Sequence, residues 1–536
     1  MALLIENAKI YLGQNRFAQA LLINDNGRIE AVGSLDEVNA QASENTPRYN
    51  AQGRTIIPGF NDSHMHLYSK AELLADIELL GARSVDEVKA RVRHYLETQK
   101  PAPGTVLHGM GWNQDYFEHD GYRLLTKEDL DEVSPNHPLI LERACGHILV
   151  ANSEALRLAG ITPESTPVEG GAIDLDENGE LTGIVRENSC VTVLAIRPAA
   201  TFETQVKNLR LAIDYANRNG ITSVQTMDMR PRQWRTMYKV YQEALGENPT
   251  LRVTHQVNFM EPKGFQAFLD EGFHTGLGDE FNRIGPLKMF VDGSLGARTA
   301  DMRQPYADDP TTSGISTLSV EAMNTMVELA DSHGCQVIMH AIGDGAIERV
   351  LNAYERVNPT HDNPNRHGVV HVQITDRPLL ERFKTQNVLA FTQPIFLHYD
   401  IQICEARVGK ALASTSYAFG TLHRLGVHQS FGTDCPIEDL NPIDCLYCAV
   451  NRRQLTGLPE GGFYPNECLS VPDAIDAYTY EGAYASFEED FKGRLLPGYV
   501  ADLVVLSEDI FTMDPLKLRE TKVLATMVNG RFVYEA

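Results

Sequence analysis

Pro58-Gly59-Phe60-Asn61-Asp62-Ser63-His64-Met65-His66 follows the apolar run Thr55-Ile56-Ile57, and together they read as one buried strand with a polar end. Residues two apart on a strand point to the same side, so His64 and His66 project together. Two imidazoles converging from one rigid strand end supply half of a site for zinc or a similar ion. Alone, such a pair more often marks two unrelated polar residues where a strand meets a loop, so the other half must come from elsewhere in the chain.

Downstream the chain repeats a strand-then-helix rhythm. Strand candidates ending in polar residues run at 221–227, 253–257, 287–292, 336–340, 368–371, 388–393 and 428–434. With the opening strand they make the count of a (β/α)8 TIM barrel, whose active site lies at the C-terminal strand ends. Helical patterns separate several of them, for example Val320-Glu321-Ala322-Met323-Asn324-Thr325-Met326-Val327-Glu328-Leu329-Ala330, closed by Gly334. The predicted fold is therefore α/β: this barrel, a β-sandwich built from both chain termini, and an inserted α+β lobe. The sandwich follows from short apolar runs joined by turn residues at both ends of the chain, including Asn529-Gly530 as a hairpin turn. The expected boundaries are 1–56 with 491–536 for the sandwich, 57–80 with 200–490 for the barrel and 81–199 for the lobe. Loops at that barrel face carry function, so the lobe is expected to cover the active site.

Bulk properties exclude several classes. At 536 residues the chain exceeds one simple core. A formal charge of -25, from 47 Lys plus Arg against 72 Asp plus Glu, argues against nucleic acid or an anionic membrane as partner. The opening residues Met1-Ala2-Leu3-Leu4-Ile5-Glu6 do not read as a secretory signal, and no stretch approaches the roughly 20 apolar residues of a membrane span. The 8 cysteines are scattered, and Cys445 and Cys448 read as packing on one helix face, so reduced thiols and a cytoplasmic location are expected. A homodimer is compatible with these numbers.

Inspection of the strand ends supplies the missing half. Lys288 lies on the fourth strand with Asp292 just beyond, His340 ends the fifth, His371 the sixth, and Asp434 the eighth. With His64 and His66 these are four His, one Asp and one Lys on converging positions. Each has a plainer reading: Lys288 paired with Asp292, His340 and His371 as satisfied core histidines, Asp434 as a helix N-cap. His108, His119, His137, His333, His361, His367 and His423 read as surface or packing residues.

At this point the chain resembles the amidohydrolase superfamily over nearly its whole length, and within it the branch of N-substituted formamide deformylase. The resemblance rests on the 58–66 stretch, on Lys288-Met289-Phe290-Val291-Asp292-Gly293-Ser294-Leu295-Gly296-Ala297-Arg298-Thr299-Ala300, on His340-Ala341-Ile342-Gly343-Asp344, on Gly432-Thr433-Asp434-Cys435-Pro436, and on the return at 494–506. It implies one or two divalent metals per chain, with zinc expected. His64 and His66 would hold the more buried ion and His340 and His371 the more exposed one. Lys288 would be N6-carboxylated and bridge both. A bare ammonium beside two cations is repelled, whereas its carbamate is an anionic ligand. Asp434 would touch a metal and shuttle the proton of the attacking metal-bound hydroxide to the leaving amine.

Substrate contacts are expected from Trp112, His147 and Glu187 in the lobe, with plain lobe packing the equal alternative for Trp112 and His147, and from Asp292, Arg298 and Asp344 on the barrel, the two aspartates either orienting histidines or capping turns. In the lobe Asn113, Cys145 and Leu149 depart from the branch's usual residues. The reading is a hydrolase of a small-molecule, non-peptide amide or formamide. A cyclic amide hydrolase or deaminase on the same scaffold is the alternative within enzymes, and a non-catalytic binding or regulatory protein retaining the fold is the alternative of another class.

Overall fold

The computed structural model describes residues 2–143 and 147–536, so the departure noted at Cys145 lies outside the described residues. Two compact units are formed, one by 1–67 with 213–536 and the other by Tyr68–Ala212.

In the first unit eight strands form one parallel sheet in sequence order: β1 (Phe60–Met65), β2 (Ile221–Met229), β3 (Arg252–Asn258), β4 (Asn282–Phe290), β5 (Val337–Ala341), β6 (Gly368–His371), β7 (Leu389–Thr392) and β8 (Gln429–Phe431). Backbone ladders join every successive pair from β1 to β8. The ring closes just beyond the strand ends, where the Asp434 N–H donates to the His64 carbonyl (2.9 Å) and the His66 N–H to that of Cys435 (2.7 Å). Strands and helices pack through apolar rows, with Met323, Met326 and Val327 of the helix Val320–Ser332 in one buried cluster with Met289, Val337 and Met339. The TIM barrel expected from the strand count is present.

The strand carrying the two histidines differs from its expected form. Thr55–Pro58 belongs to a second sheet, pairing with Lys9–Gly13 and Leu503–Leu506, and the barrel strand starts afresh at Phe60. Gly59 makes the break. Its N–H donates to the Asp502 carbonyl (3.0 Å), and a Cβ there would lie 2.1 Å from Thr222 Oγ1, so the chain turns where no side chain fits. A continuous apolar run conceals this change of sheet.

The two terminal segments share a sandwich. Its six-stranded sheet runs Arg531–Glu535, Val523–Val528, Leu503–Leu506, Thr55–Pro58, Lys9–Gly13, Arg16–Ala18, and the four-stranded one Ile29–Gly33, Ala20–Ile23, Leu3–Glu6, Arg48–Asn50. Ile5, Leu21 and Ile23 from one sheet bury against Ile56, Leu503 and Met527 from the other. Asn529 and Gly530, both at positive φ (50° and 75°), make the tight C-terminal hairpin. Below the barrel, Arg252 is closed off from solvent and held by Asp502 through Nε (2.6 Å) and a terminal guanidinium nitrogen (3.1 Å). Cys445 and Cys448 are buried on the helix Pro442–Asn451.

The second unit has its own sheet in the order Gly171–Leu175, Leu181–Glu187, Ile148–Ala151, Leu139–Arg143, Leu107–Trp112, Ile77–Glu78. It reaches beyond 81–199 because Ile77–Glu78 pairs with Gly109 and Met110. His108 is no surface residue: it is buried between two acids, with Nδ1 2.6 Å from Asp76 Oδ2 and Nε2 2.6 Å from Glu142 Oε1, while Arg197 contacts Asp76 at 3.1 Å. Burial opposes the imidazolium, but the two carboxylates outweigh it and raise the His108 pKa. No helix among the described residues is long and apolar enough to cross a membrane.

Two outcomes are expected. Asp502→Ala leaves the buried Arg252 guanidinium without its carboxylate, so urea unfolding should report a loss of about 3–5 kcal/mol, largely recovered by Arg252→Met with Asp502→Leu; a loss comparable to that of an exposed pair, about 1 kcal/mol or less, would contradict the assigned role. For His108, a pKa raised by folding contributes stability that is complete below its ordinary value of 6.5 and fades as pH rises through the higher folded value. Thermal unfolding of the full chain should therefore fall from neutral pH upward, and His108→Gln should remove that slope; an unchanged slope would refute it.

Candidate metal centre

The C-terminal ends of β1, β4, β5, β6 and β8 bring the six candidate side chains together. His64 and His66 lie with ring centroids 5.5 Å apart, His64 and His371 5.7 Å, and His371 and His340 4.5 Å. Asp434 Oδ1 is 3.1 Å from His66 Nε2 and 3.5 Å from His64 Nε2. His64, His66 and Asp434 place one ligand atom each within 4.8 Å of the others. His371 and Asp434 are held at positive φ (83° and 56°), a backbone state that non-glycine residues adopt at a cost and that accumulates at functional sites.

Every one of the four imidazoles is fixed from behind through Nδ1. His64 meets Gln256 Oε1 at 2.6 Å, His371 meets Gln393 Oε1 at 2.8 Å, His340 meets Asp292 Oδ1 at 2.9 Å, and His66 meets the Met227 carbonyl at 3.2 Å. An acceptor at Nδ1 fixes the tautomer with the proton there, which leaves Nε2 as the lone-pair donor on the converging side. Burial, with the nearby Lys288 charge, holds His64 well below the usual imidazole pKa; burial and His340 do the same for His371. Both rings are thus neutral, the metal-binding form. Burial also acts on His66, but the Asp434 carboxylate beside it raises its pKa. For Asp434 burial is outweighed first of all by the His66 hydrogen bond, so its carboxyl lies well below the usual range.

Lys288 is wholly buried and its Nζ has no hydrogen-bond partner; its nearest named contact is the Phe290 ring, 4.2 Å to the centroid. Burial lowers its pKa to about 7 against the pull of Asp434 and Asp292. An orphaned buried amine costs stability unless it is partnered or modified. Four N donors, a carboxylate and an amine that can carry further oxygens suit zinc and its divalent neighbours.

The other expected site residues divide. Asp292 is an orienting residue, accepting from His340 and from the backbone N–H groups of Ile342, Gly343 and Asp301. Asp344 instead takes the backbone N–H and Nε of Arg303, and Arg298 pairs with Asp308. Trp112 takes the packing alternative: its indole is sealed in the core of the 68–212 unit and its N–H donates to the Leu141 carbonyl (3.0 Å). His147 and Glu187 pair with each other at 2.9 Å on an exposed face. Sequence reasoning missed Gln256 and Gln393 as acceptors, although Gln256 lies on β3 and Gln393 just beyond the C-terminal end of β7. It also missed Phe396, stacked on His371 at 5.8 Å, and Asp62.

Comparison with known proteins agrees with this arrangement. The chain is 32% identical to YtcJ of Bacillus subtilis, an amidohydrolase by name, with 96% of each chain covered. It is 26% identical to the N-substituted formamide deformylase of Arthrobacter pascens, over 99% of this chain and 98% of that one. Its fold matches an uncharacterized metal-dependent hydrolase from Pyrococcus horikoshii with a TM-score of 0.76 at 28% identity, covering 96% of this chain and 99% of the other. The family model for amidohydrolases matches residues 49–534, from the sandwich through every strand end that carries a candidate ligand, and the chain belongs to the amidohydrolase family.

Proposed function

We propose that this amidohydrolase is a metal-dependent hydrolase that cleaves the C–N bond of a small, non-peptide amide or formamide. The observation that carries the reading is the buried, partnerless Lys288 amine amid four imidazoles whose Nδ1 atoms are all engaged. The names of the similar proteins, a formamide deformylase and a metal-dependent hydrolase, support the same class of reaction.

The residues fit a divalent metal, with zinc the ion we favour. His64, His66 and Asp434 would hold one ion and His340 with His371 a second. Such an ion polarises a carbonyl and brings the pKa of a bound water close to neutrality. Lys288 has a local reason to be carboxylated. With its pKa near 7, much of the amine is uncharged at neutral pH; its nitrogen can add to carbon dioxide, lose a proton and become a carbamate with two anionic oxygen donors. Asp434, kept ionised, accepts a proton from the attacking water and returns it to the departing amine nitrogen. Phe396 and Phe290, packed on His371 and beside His340, hold the imidazoles' outer faces.

Hydrolysis of a panel of N-formyl and N-acyl amines, with zinc or manganese and bicarbonate added, tests the class directly; metal-loaded protein inert across the panel would overturn it. Lys288→Ala should weaken metal binding on the order of 10–100-fold, with partial rescue by short carboxylic acids. Full metal occupancy in that variant would remove the bridging role. Asp434→Asn should retain metal yet lose on the order of 100-fold or more in kcat, and near-normal turnover would contradict its role as proton carrier.

A further inference from the structure

Among the described residues, β1 and β8 are the one pair of barrel neighbours without a backbone ladder, and the candidate ligands sit on both sides of that seam: His64 and His66 on one, Asp434 on the other. Besides the two backbone bonds just beyond the strand ends, the seam is bridged by a buried carboxylate. Asp62 Oδ1 accepts the His64 N–H at 3.2 Å on its own strand. Across the seam the carboxylate accepts the Thr433 N–H (3.0 Å) and the Thr433 hydroxyl (2.7 Å), both at Oδ2. A fourth donor, the Tyr478 hydroxyl, reaches Oδ2 at 3.2 Å from the helix Val471–Tyr478. The Tyr478 ring wedges edge-on against Phe60 of β1 (5.3 Å) and Phe431 of β8 (6.1 Å). The strands come so close here that a Cβ on Gly432 would lie 2.7 Å from the His64 nitrogen.

Three of the four donors belong to His64 or to Thr433 beside Asp434, so a shift in the carboxylate moves His64 and Asp434 relative to each other. We propose that Asp62 is a positioning residue that sets the spacing between the His64/His66 pair and Asp434, with Thr433 and Tyr478 as its arms. Elsewhere in the barrel this spacing is fixed by ladder hydrogen bonds; at the seam the Asp62 side chain shares the task with two backbone bonds beyond the strand ends, from the Asp434 N–H to His64 and from the His66 N–H to Cys435. The inference rests on the reading that a divalent metal binds these three residues. It adds that their mutual geometry is set from behind, by a group that touches neither metal nor substrate.

Cobalt(II), added alone to metal-free full-length protein, gives both an affinity by competition with a chelator and a visible absorption spectrum that reports ligand geometry independently of activity. Asp62→Asn keeps the size of the side chain but turns an NH2 toward donors. It should bind cobalt at least about tenfold more weakly and with an altered spectrum. Thr433→Val and Tyr478→Phe each remove one arm and should give smaller changes in the same direction; they decide the matter if Asp62→Asn does not fold. Met527→Ala, a large-to-small change in the sandwich core, lowers stability far from the seam and should leave the cobalt spectrum as in the wild type. Folded Asp62→Asn, or Thr433→Val and Tyr478→Phe together, with wild-type affinity and spectrum would overturn the proposal. Wild-type protein that binds no cobalt would overturn the metal reading on which it rests.

Discussion

A lysine amine without a hydrogen-bond partner, at zero exposure, is the constraint around which this barrel is arranged. An isolated ammonium in such a place is too costly to keep, so the group either gives up its proton or acquires a chemical partner. Nothing nearby offers the ordinary solution of an ion pair: Asp292 is turned to His340 and three backbone N–H groups, and Asp434 to the β1 histidines. What surrounds the amine instead is a set of imidazoles, neutral at His64 and His371, each fixed at Nδ1 so that Nε2 lies on the converging side. The proposed carbamate on Lys288, with metal held by these residues, would resolve the lysine's burial and the histidines' convergence at once.

The surrounding structure serves to hold those groups still. Each histidine is fixed by an acceptor from a different part of the barrel: carboxamides from β3 and the end of β7, a carboxylate after β4, a carbonyl on β2. The β1 strand is anchored at both ends. Gly59 delivers it from the sandwich against Thr222, and Asp62 ties it across the seam to Thr433. The Arg252–Asp502 pair fixes the sandwich beneath the barrel at the residue whose carbonyl receives the Gly59 N–H. Rigidity at this level is what metal ligands require, since their spacing must match the ion within a few tenths of an ångström.

Much of this was legible in the chain. All eight barrel strands, the two-ended sandwich and the six converging side chains could be read from apolar runs, turn residues and strand-end polar residues. Local patterning is enough for that, because each signal lies within a few residues of what it specifies. The failures have a common cause. Thr55-Ile56-Ile57 and Phe60 onward look like one strand because the change of sheet at Gly59 depends on Thr222, far along the chain. Trp112 beside glycines suggested a pocket, and only the lobe's packed core shows its indole spent on Leu141. His108 needed Asp76 and Glu142, from different strands and loops, to be held between two carboxylates with its pKa raised. Gln256, Gln393 and Asp62 act through contacts more than 20 residues distant, or across the barrel seam, which no local pattern reveals.

The central claim is that Lys288 joins two metal-binding pairs as a carbamate. Diffraction from crystals grown with zinc and bicarbonate, with anomalous data collected at the zinc edge, addresses it most directly. The account predicts an anomalous peak within bonding distance of His64, His66 and Asp434, a second at His340 and His371, and density for three additional atoms on Lys288 Nζ between them. A bare Lys288 amine with no anomalous peak at these residues would contradict it.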